Sequence, residues 1–277
     1  MARSALDSDF FDLPTPRVIA HRGASGEYPE NTLAAFRAAA EAGAPYFELD
    51  VHMTRDGVVV VSHDPELSRT CGLDAAIRDL TLAELKRADA GWGFTTSRAA
   101  TIAATATPGD GAFPFRGRGI EVPALAEVFA AFPERRYVVE VKQSAPSLVA
   151  ALLDVIERAG MRRQVLIASE EQAPIYELRA LAPALPTGFP YHEIAGFMIS
   201  LAPAAEPYQP RGDALQIPPE YEGWRLVTPQ SVAAAHRLGV EVHVWTVNDP
   251  AEMLAMLDLG VDGIITDYPA RLLALMK

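Results

Sequence analysis

The sequence is poor in cysteine, in positive charge and in long apolar runs, and each shortage removes a class of protein. One cysteine, Cys71, in 277 residues excludes an intrachain disulfide and a cysteine-based metal centre. It reads as a small buried side chain. Basic residues number 24 against 36 acidic ones, a formal net charge of −12. A chain that grips a nucleic-acid backbone needs a basic surface, which this one lacks. A single small anion needs only a few local cations and stays open as a ligand. No stretch is apolar for long enough to span a bilayer, and the opening MARSALDSDFFDLPTPR has no apolar core of a secretory signal. The expectation is a cytoplasmic protein without an integral membrane segment. No glycine-rich dinucleotide-binding turn follows any apolar run, and nothing repeats at solenoid spacing.

Against these absences stands a regular alternation. Short β-rich runs are expected near Arg17–His21, Tyr46–Val51, Tyr137–Lys142, Gln164–Ser169, Thr187–Pro190, Ala214–Ile217, Glu241–Val247 and Gly263–Thr266. Helical patterns lie between them, among them Thr32–Ala42, Ser147–Ala159, Pro174–Ala182, Pro229–Leu238 and Pro250–Leu259. Gly43, Gly160, Gly239 and Gly260 stand where four helices should end. Strand and helix in alternation imply parallel strands joined by right-handed crossovers. Eight such units in a chain of this length predict an α/β protein, a (β/α)8 barrel in one domain over residues 1–277. A doubly wound open sheet is the alternative.

Two segments break the rhythm. Asp56-Gly57 sits between β-rich runs and predicts a hairpin that ends at His63-Asp64. Residues 65–122, too long for an ordinary connection, read as an insertion beside the site with a short helical piece at Leu82–Ala90. The stretch His192–Gly212 reads as a long surface loop.

Residues i and i+2 of a strand share a face. YFELDV therefore places Glu48 beside Asp50, and YVVEVK places Glu140 beside Lys142. The first strand stops at His21-Arg22. Three strands thus carry charge at the C-terminal ends where barrel enzymes build their sites. Each feature alone has an ordinary structural explanation, such as a core histidine or an internal ion pair. Together they suit a hard divalent cation, Mg²⁺ or Ca²⁺, on Glu48, Asp50 and Glu140. His21 and His63 would be the general acid and base, and Arg22 and Lys142 would hold a phosphate. A glycosidase needs two carboxyls and little positive charge, so phosphoryl transfer fits better. Asn31 or Thr32 is read as a helix cap, and Asp249-Pro250 as a cap followed by proline at the first helical position. Trp245 either walls a substrate or packs. Cys71, His52, His192, His236 and His243 receive no role.

AHRGASGEYPENTLAAF, FELDVHMTRDGVVVVSHD, PALAEVF, VVEVK and VHVWTVNDPAEMLAMLDLGVDGIITDYP resemble the glycerophosphodiester phosphodiesterases, in order and over nearly the whole chain. The resemblance implies a (β/α)8 barrel with an insertion after the second strand. It also implies metal-dependent hydrolysis of a small glycerophosphodiester to sn-glycerol 3-phosphate and an alcohol. His21 and His63 match the family's acid/base pair, and Glu48, Asp50 and Glu140 its metal ligands. Arg22 and Lys142 match phosphate contacts, and Trp245 an aromatic near the substrate. A lysophospholipase D acting on lysophospholipids, or a non-catalytic phosphate-ligand binder, are the alternative readings.

Overall fold

Alternating strands and helices organise the computed structural model, which describes residues 8–95 and 113–277. After a 3-10 turn at Asp9–Phe11 come β1 (Arg17–His21), α1 (Leu33–Ala42), β2 (Tyr46–Met53) and β3 (Val59–Val61). Short helices α2 (Ser68–Cys71) and α3 (Leu82–Leu85) precede α4 (Leu125–Ala131), β4 (Arg136–Val141), α5 (Val149–Arg158) and β5 (Val165–Ala168). Next are α6 (Gln172–Leu181), α7 (Tyr191–Ile199), β6 (Ala214–Ile217), β7 (Glu220–Tyr221) and β8 (Trp224–Arg225). The chain closes with α8 (Pro229–Arg237), β9 (Glu241–Val244), α9 (Pro250–Asp258), β10 (Gly263–Thr266) and α10 (Pro269–Leu275).

The parallel strands run in the order β5-β4-β2-β1-β10-β9-β6. The gap between β5 and β6 is bridged by two residues, Thr187 paired with Ile167 and Gly188 paired with Ala214, both parallel. With that narrow eighth stave the sheet closes into the expected barrel. The segment expected as a strand at 187–190 contributes only these two bridges. β3 runs antiparallel to the outer end of β2, joined through Asp56-Gly57 as the hairpin signal implied.

Strand alternation sorts the side chains into layers. Ile19, Tyr46, Val138, Leu166, Ala214 and Ile265 meet inside the barrel, where Phe10 from the N-terminal turn joins them. Burying a phenylalanine fully contributes about 2–3 kcal/mol, and Phe10 is 0 % exposed. On the opposite strand faces Val18, Ala20, Phe47, Leu49, Val51, Val139 and Ile264 pack in the outer core with the helices. Below the inner apolar layer, Arg17 makes a bidentate pair with Glu241, at 2.8 and 2.6 Å, and donates to Tyr46 Oη at 2.6 Å. Above the layer come the charged residues of the next section.

Helix ends follow local chemistry. Thr32 caps α1 by accepting from Ala35 N–H, and Asp249 caps α9 ahead of Pro250. The four glycines expected to end helices all have positive φ, between 68° and 97°, which a residue without Cβ adopts freely. Two readings need correction. Residues 191–199 form α7 rather than loop. Its Glu193 is buried against Arg179 of α6 at 2.6 Å, and Phe197 is buried in the core. The helical piece expected over Leu82–Ala90 is the single turn α3, ended by turns from Lys86 on. Cys71 is buried with Val60, Leu67, Ile77, Leu85 and Val122 in a small core of its own. Residues 96–112 of the expected insertion lie outside the described residues. Among the described residues no helix is long and apolar enough to cross a membrane.

Candidate active site

Two residues beyond the inner apolar layer, four strands change character. Ile19 is followed by His21, Tyr46 by Glu48 and Asp50, Val138 by Glu140, and Ile265 by Asp267. All point the same way as their apolar predecessors, so polar groups converge at the C-terminal mouth of the barrel.

Glu48, Asp50 and Glu140 each offer a carboxylate oxygen, and these oxygens all lie within 4.8 Å of one another. The strand register sets this: Asp50 is paired with Glu140 across β2 and β4, and His21 with Glu48 across β1 and β2. Burial, then the charge of Asp50, pushes the Glu48 carboxyl well above the usual carboxylate range, against Arg22 and Lys142. Burial also raises Glu140. Asp50 Oδ1 is buried with no hydrogen-bond partner, with Lys142 Nζ 3.6 Å away. Three converging hard oxygen donors, one of them orphaned, fit a divalent cation, which would return Glu48 to its ionised form.

The two histidines are held alike. His21 Nδ1 lies 2.6 Å from Asp267 Oδ1, and its Nε2 lies 3.9 Å from Glu48 Oε2. His63 Nδ1 lies 2.7 Å from Asp64 Oδ1. A carboxylate on Nδ1 favours the proton there and leaves Nε2 as the unprotonated nitrogen. Asp267 also accepts from Ser25 Oγ at 2.9 Å and Asn248 Nδ2 at 2.6 Å. Burial alone would raise it, but the hydrogen bonds, led by His21, hold it below its ordinary value. Asp64 is likewise lowered, to about 2, because bonds from Arg69 and His63 outweigh its burial.

Both expected phosphate-binding cations are present and already engaged. Arg22 Nε lies 3.1 Å from Asp50 and Nη1 donates to Glu30 at 3.0 Å, while its backbone N–H donates to Glu48 Oε2 at 3.0 Å. Lys142 Nζ donates to Glu140 at 2.7 Å. Burial disfavours the Lys142 ammonium, but Glu140 and Asp50 more than offset it. Arg22 and Asn31 both have φ in the left-handed region, 53° and 58°. That conformation is uncommon without glycine, and it lets Asn31 Nδ2 reach Asp50 Oδ2 at 2.8 Å. Asn31 therefore serves the site, and only Thr32 caps the helix. Gly23 at φ +84 leaves no room for a Cβ, which would lie 2.6 Å from Ala35.

Of the residues expected at the site, His21, Arg22, Glu48, Asp50, Glu140 and Lys142 form one contact network. His63 reaches it indirectly, through Asp64 to Arg69 Nε at 2.6 Å, then Arg69 to Glu30 at 2.8 Å, then Glu30 to Arg22. Trp245 stands at the end of β9, 36 % exposed, its backbone N–H donating to Ile217 O at 3.2 Å. Sequence reasoning missed Asp267, Asn248, Glu30 and Arg69. The i+2 rule extended one residue past β10 would have found Asp267. The histidines left without a role have structural partners. His52 Nε2 lies 3.1 Å from His63 O, which ties β2 to the end of the β2–β3 hairpin. His243 contacts Glu241, His236 contacts Asp262, and His192 contacts Tyr176.

A family model described as the glycerophosphoryl diester phosphodiesterase family matches residues 21–271. A glycerophosphodiester phosphodiesterase of Caldanaerobacter subterraneus subsp. tengcongensis is 32 % identical over 267 residues, 94 % of this chain and 97 % of the relative. The crystal structure of glycerophosphodiester phosphodiesterase from Thermotoga maritima superposes with a TM-score of 0.65 at 27 % identity, covering 94 % of this chain and 98 % of that one. An Oleispira antarctica phosphodiesterase, solved in complex with the product sn-glycerol-3-phosphate, has a TM-score of 0.73 at 25 % identity, covering 95 % of this chain and 97 % of that one.

Proposed function

The chain belongs to the glycerophosphoryl diester phosphodiesterase family, and from that premise we propose how its residues hydrolyse a glycerophosphodiester to sn-glycerol 3-phosphate and an alcohol. The observation that carries the reading is the meeting of three carboxylates within 4.8 Å beside His21, whose Nδ1 is already fixed by Asp267.

Glu48, Asp50 and Glu140 would hold one divalent cation, Mg²⁺ or Ca²⁺, which when bound neutralises charge on the phosphoryl oxygens and orients the diester. Asn31 fixes the Asp50 carboxylate in place. Arg22 and Lys142, whose charges the carboxylates now absorb, would turn toward the phosphate once those carboxylates are compensated. His21 and His63 would present their Nε2 atoms to the diester. One accepts the proton of the attacking hydroxyl, from water or from the substrate's own 2-hydroxyl, and the other protonates the departing alcohol oxygen. Asp267 and Asp64 stabilise whichever imidazole becomes charged. A cytoplasmic setting in glycerol or lipid metabolism belongs to this proposal; the acidic, single-cysteine composition supports the compartment.

Release of sn-glycerol 3-phosphate from glycerophosphoethanolamine, measured with added Mg²⁺ or Ca²⁺ and again after chelation, tests the reading. Unchanged turnover in chelator would remove the cation from it. Faster cleavage of a lysophospholipid than of the deacylated diester would move the activity to a lysophospholipase D.

A further inference from the structure

Large aromatic side chains are left exposed on one arc of the barrel mouth. Trp224 is 77 % exposed, Tyr191 59 % and Tyr221 44 %. They come from consecutive connections above the sheet. Glu170 follows β5, Tyr191 opens α7 behind the narrow stave, and the hairpin β7–β8 follows β6. The arc is built rather than accidental. Tyr191 N–H donates to Glu170 O at 2.9 Å, and the Tyr191 and Tyr221 rings meet edge to face at 6.2 Å. Tyr221 is paired with Trp224 across the hairpin. The turn between them is Glu222-Gly223, both at positive φ, 48° and 82°. That turn type favours asparagine or glycine at its first position, so a glutamate there keeps a carboxylate at the tip at some conformational cost.

The arc is also joined to the reacting centre. Lys142 Nζ sits 2.7 Å from Glu140 and 4.0 Å from the exposed Glu170 carboxylate. A diester whose phosphate lies over the carboxylate cluster can therefore extend one substituent past Lys142 toward Tyr191 and the hairpin. What the substituent meets there is aromatic surface and negative charge: Glu170, Glu222, and Glu220, the last offset by Arg225 opposite it. An anion is disfavoured by the carboxylates. A purely apolar group would use the rings and gain nothing from the charges. A quaternary or primary ammonium uses both.

We propose that β7–β8, Tyr191 and Glu170 form a subsite for the alcohol half of the diester, selecting alcohols that carry a cationic nitrogen; this rests on the phosphodiesterase reading above. Trp224 and Tyr221 supply ring faces, and Glu222 and Glu170 supply the counter-charge.

The test compares glycerophosphocholine with its neutral carbon isostere, the glycerophosphodiester of 3,3-dimethylbutanol, alongside tetramethylammonium binding measured by titration calorimetry. The wild type should show a KM roughly three- to tenfold lower for the choline diester at similar kcat. Glu222→Gln, at an exposed position, should erode that preference and weaken tetramethylammonium binding while kcat and the isostere's KM stay in place. Trp224→Ala, which removes a ring that both alcohols use, should raise both KM values, the choline diester's more, and weaken tetramethylammonium binding. Equal KM values in the wild type, or a preference both variants retain, overturn the subsite while the phosphodiesterase reading stands. If neither diester is cleaved but tetramethylammonium binds in a Trp224-dependent way, the activity reading fails and the subsite survives. Absence of both cleavage and binding overturns both.

Discussion

Asp267 and His21 are 246 residues apart in the chain and 2.6 Å apart in the fold. The contact exists because β1 pairs directly with β10, which closes the ring between the two ends of the chain. Its consequence is a fixed ring orientation, with Nδ1 committed to the carboxylate and Nε2 facing Glu48. Asp267→Asn removes the charge and allows the opposite tautomer. Loss of a partner that supports a ligating or catalytic histidine costs from about 10²-fold to about 10⁴-fold for a carboxylate-to-amide change. The expected outcome is a kcat loss in that range with the far-ultraviolet circular dichroism of the wild type. A loss below about threefold would show that turnover does not depend on Asp267 orienting the His21 ring.

The second histidine is held through a longer chain, His63 to Asp64 to Arg69 to Glu30. Arg69 is half exposed, so its replacement should leave the fold intact. It nevertheless lends Asp64 and Glu30 their charge-assisted bonds. Arg69→Met should lower kcat by about 10–100-fold, the usual cost of removing a supporting partner, with a smaller change in KM. A change confined to KM would place Arg69 in substrate binding instead.

Cation binding should appear as stability as well as activity. A ligand at about 100 times its Kd adds about 2.7 kcal/mol, which for a chain of this size raises Tm by about 5 °C. Mg²⁺ or Ca²⁺ added to chelator-treated protein should produce such a rise. Asp50→Asn, which alters a carboxylate with an orphaned oxygen, should abolish the rise. A rise that persists in Asp50→Asn would locate the cation elsewhere.

How far the sequence disclosed the site depends on whether a residue's partner is local. Glu48, Asp50 and Glu140 were legible because alternation within one strand places them on a shared face, and two charges on an inward face need an explanation. His21 was legible for the same reason. Asp267 obeys the same alternation from Ile265 but lies just past the apolar run that marks β10, so it read as loop. Arg69 and Glu30 look like ordinary surface charge, and only the return of the hairpin over the first loop brings them together. The helix α7 was hidden because its stabilising contact, Glu193 to Arg179, is tertiary. The eighth stave was overestimated because only two of its residues make bridges. The aromatic hairpin gave no signal at all, since two-residue strands have no periodicity.

At the opposite end of the barrel, Glu241 makes the acid response of the fold predictable. Burial alone would raise its carboxyl, but the bonds from Arg17 and His243 hold it down at about 2. An unfolded glutamate titrates near 4.3, so below that pH the unfolded chain binds a proton that the folded chain refuses. The stabilisation is therefore complete above about pH 4.5 and is lost as pH falls toward about 2, amounting at most to about 3 kcal/mol. Glu241→Gln lacks this titration and leaves Arg17, only 2 % exposed, without its ionic partner, a loss that costs about 3–5 kcal/mol for buried pairs. Urea unfolding at pH 6 should show the variant less stable by several kcal/mol. At pH 3.5 the gap should narrow by about 1 kcal/mol, because the wild type alone pays for keeping Glu241 ionised. A gap that is constant across that range would mean that the Arg17 contact stabilises the barrel floor by packing rather than by charge.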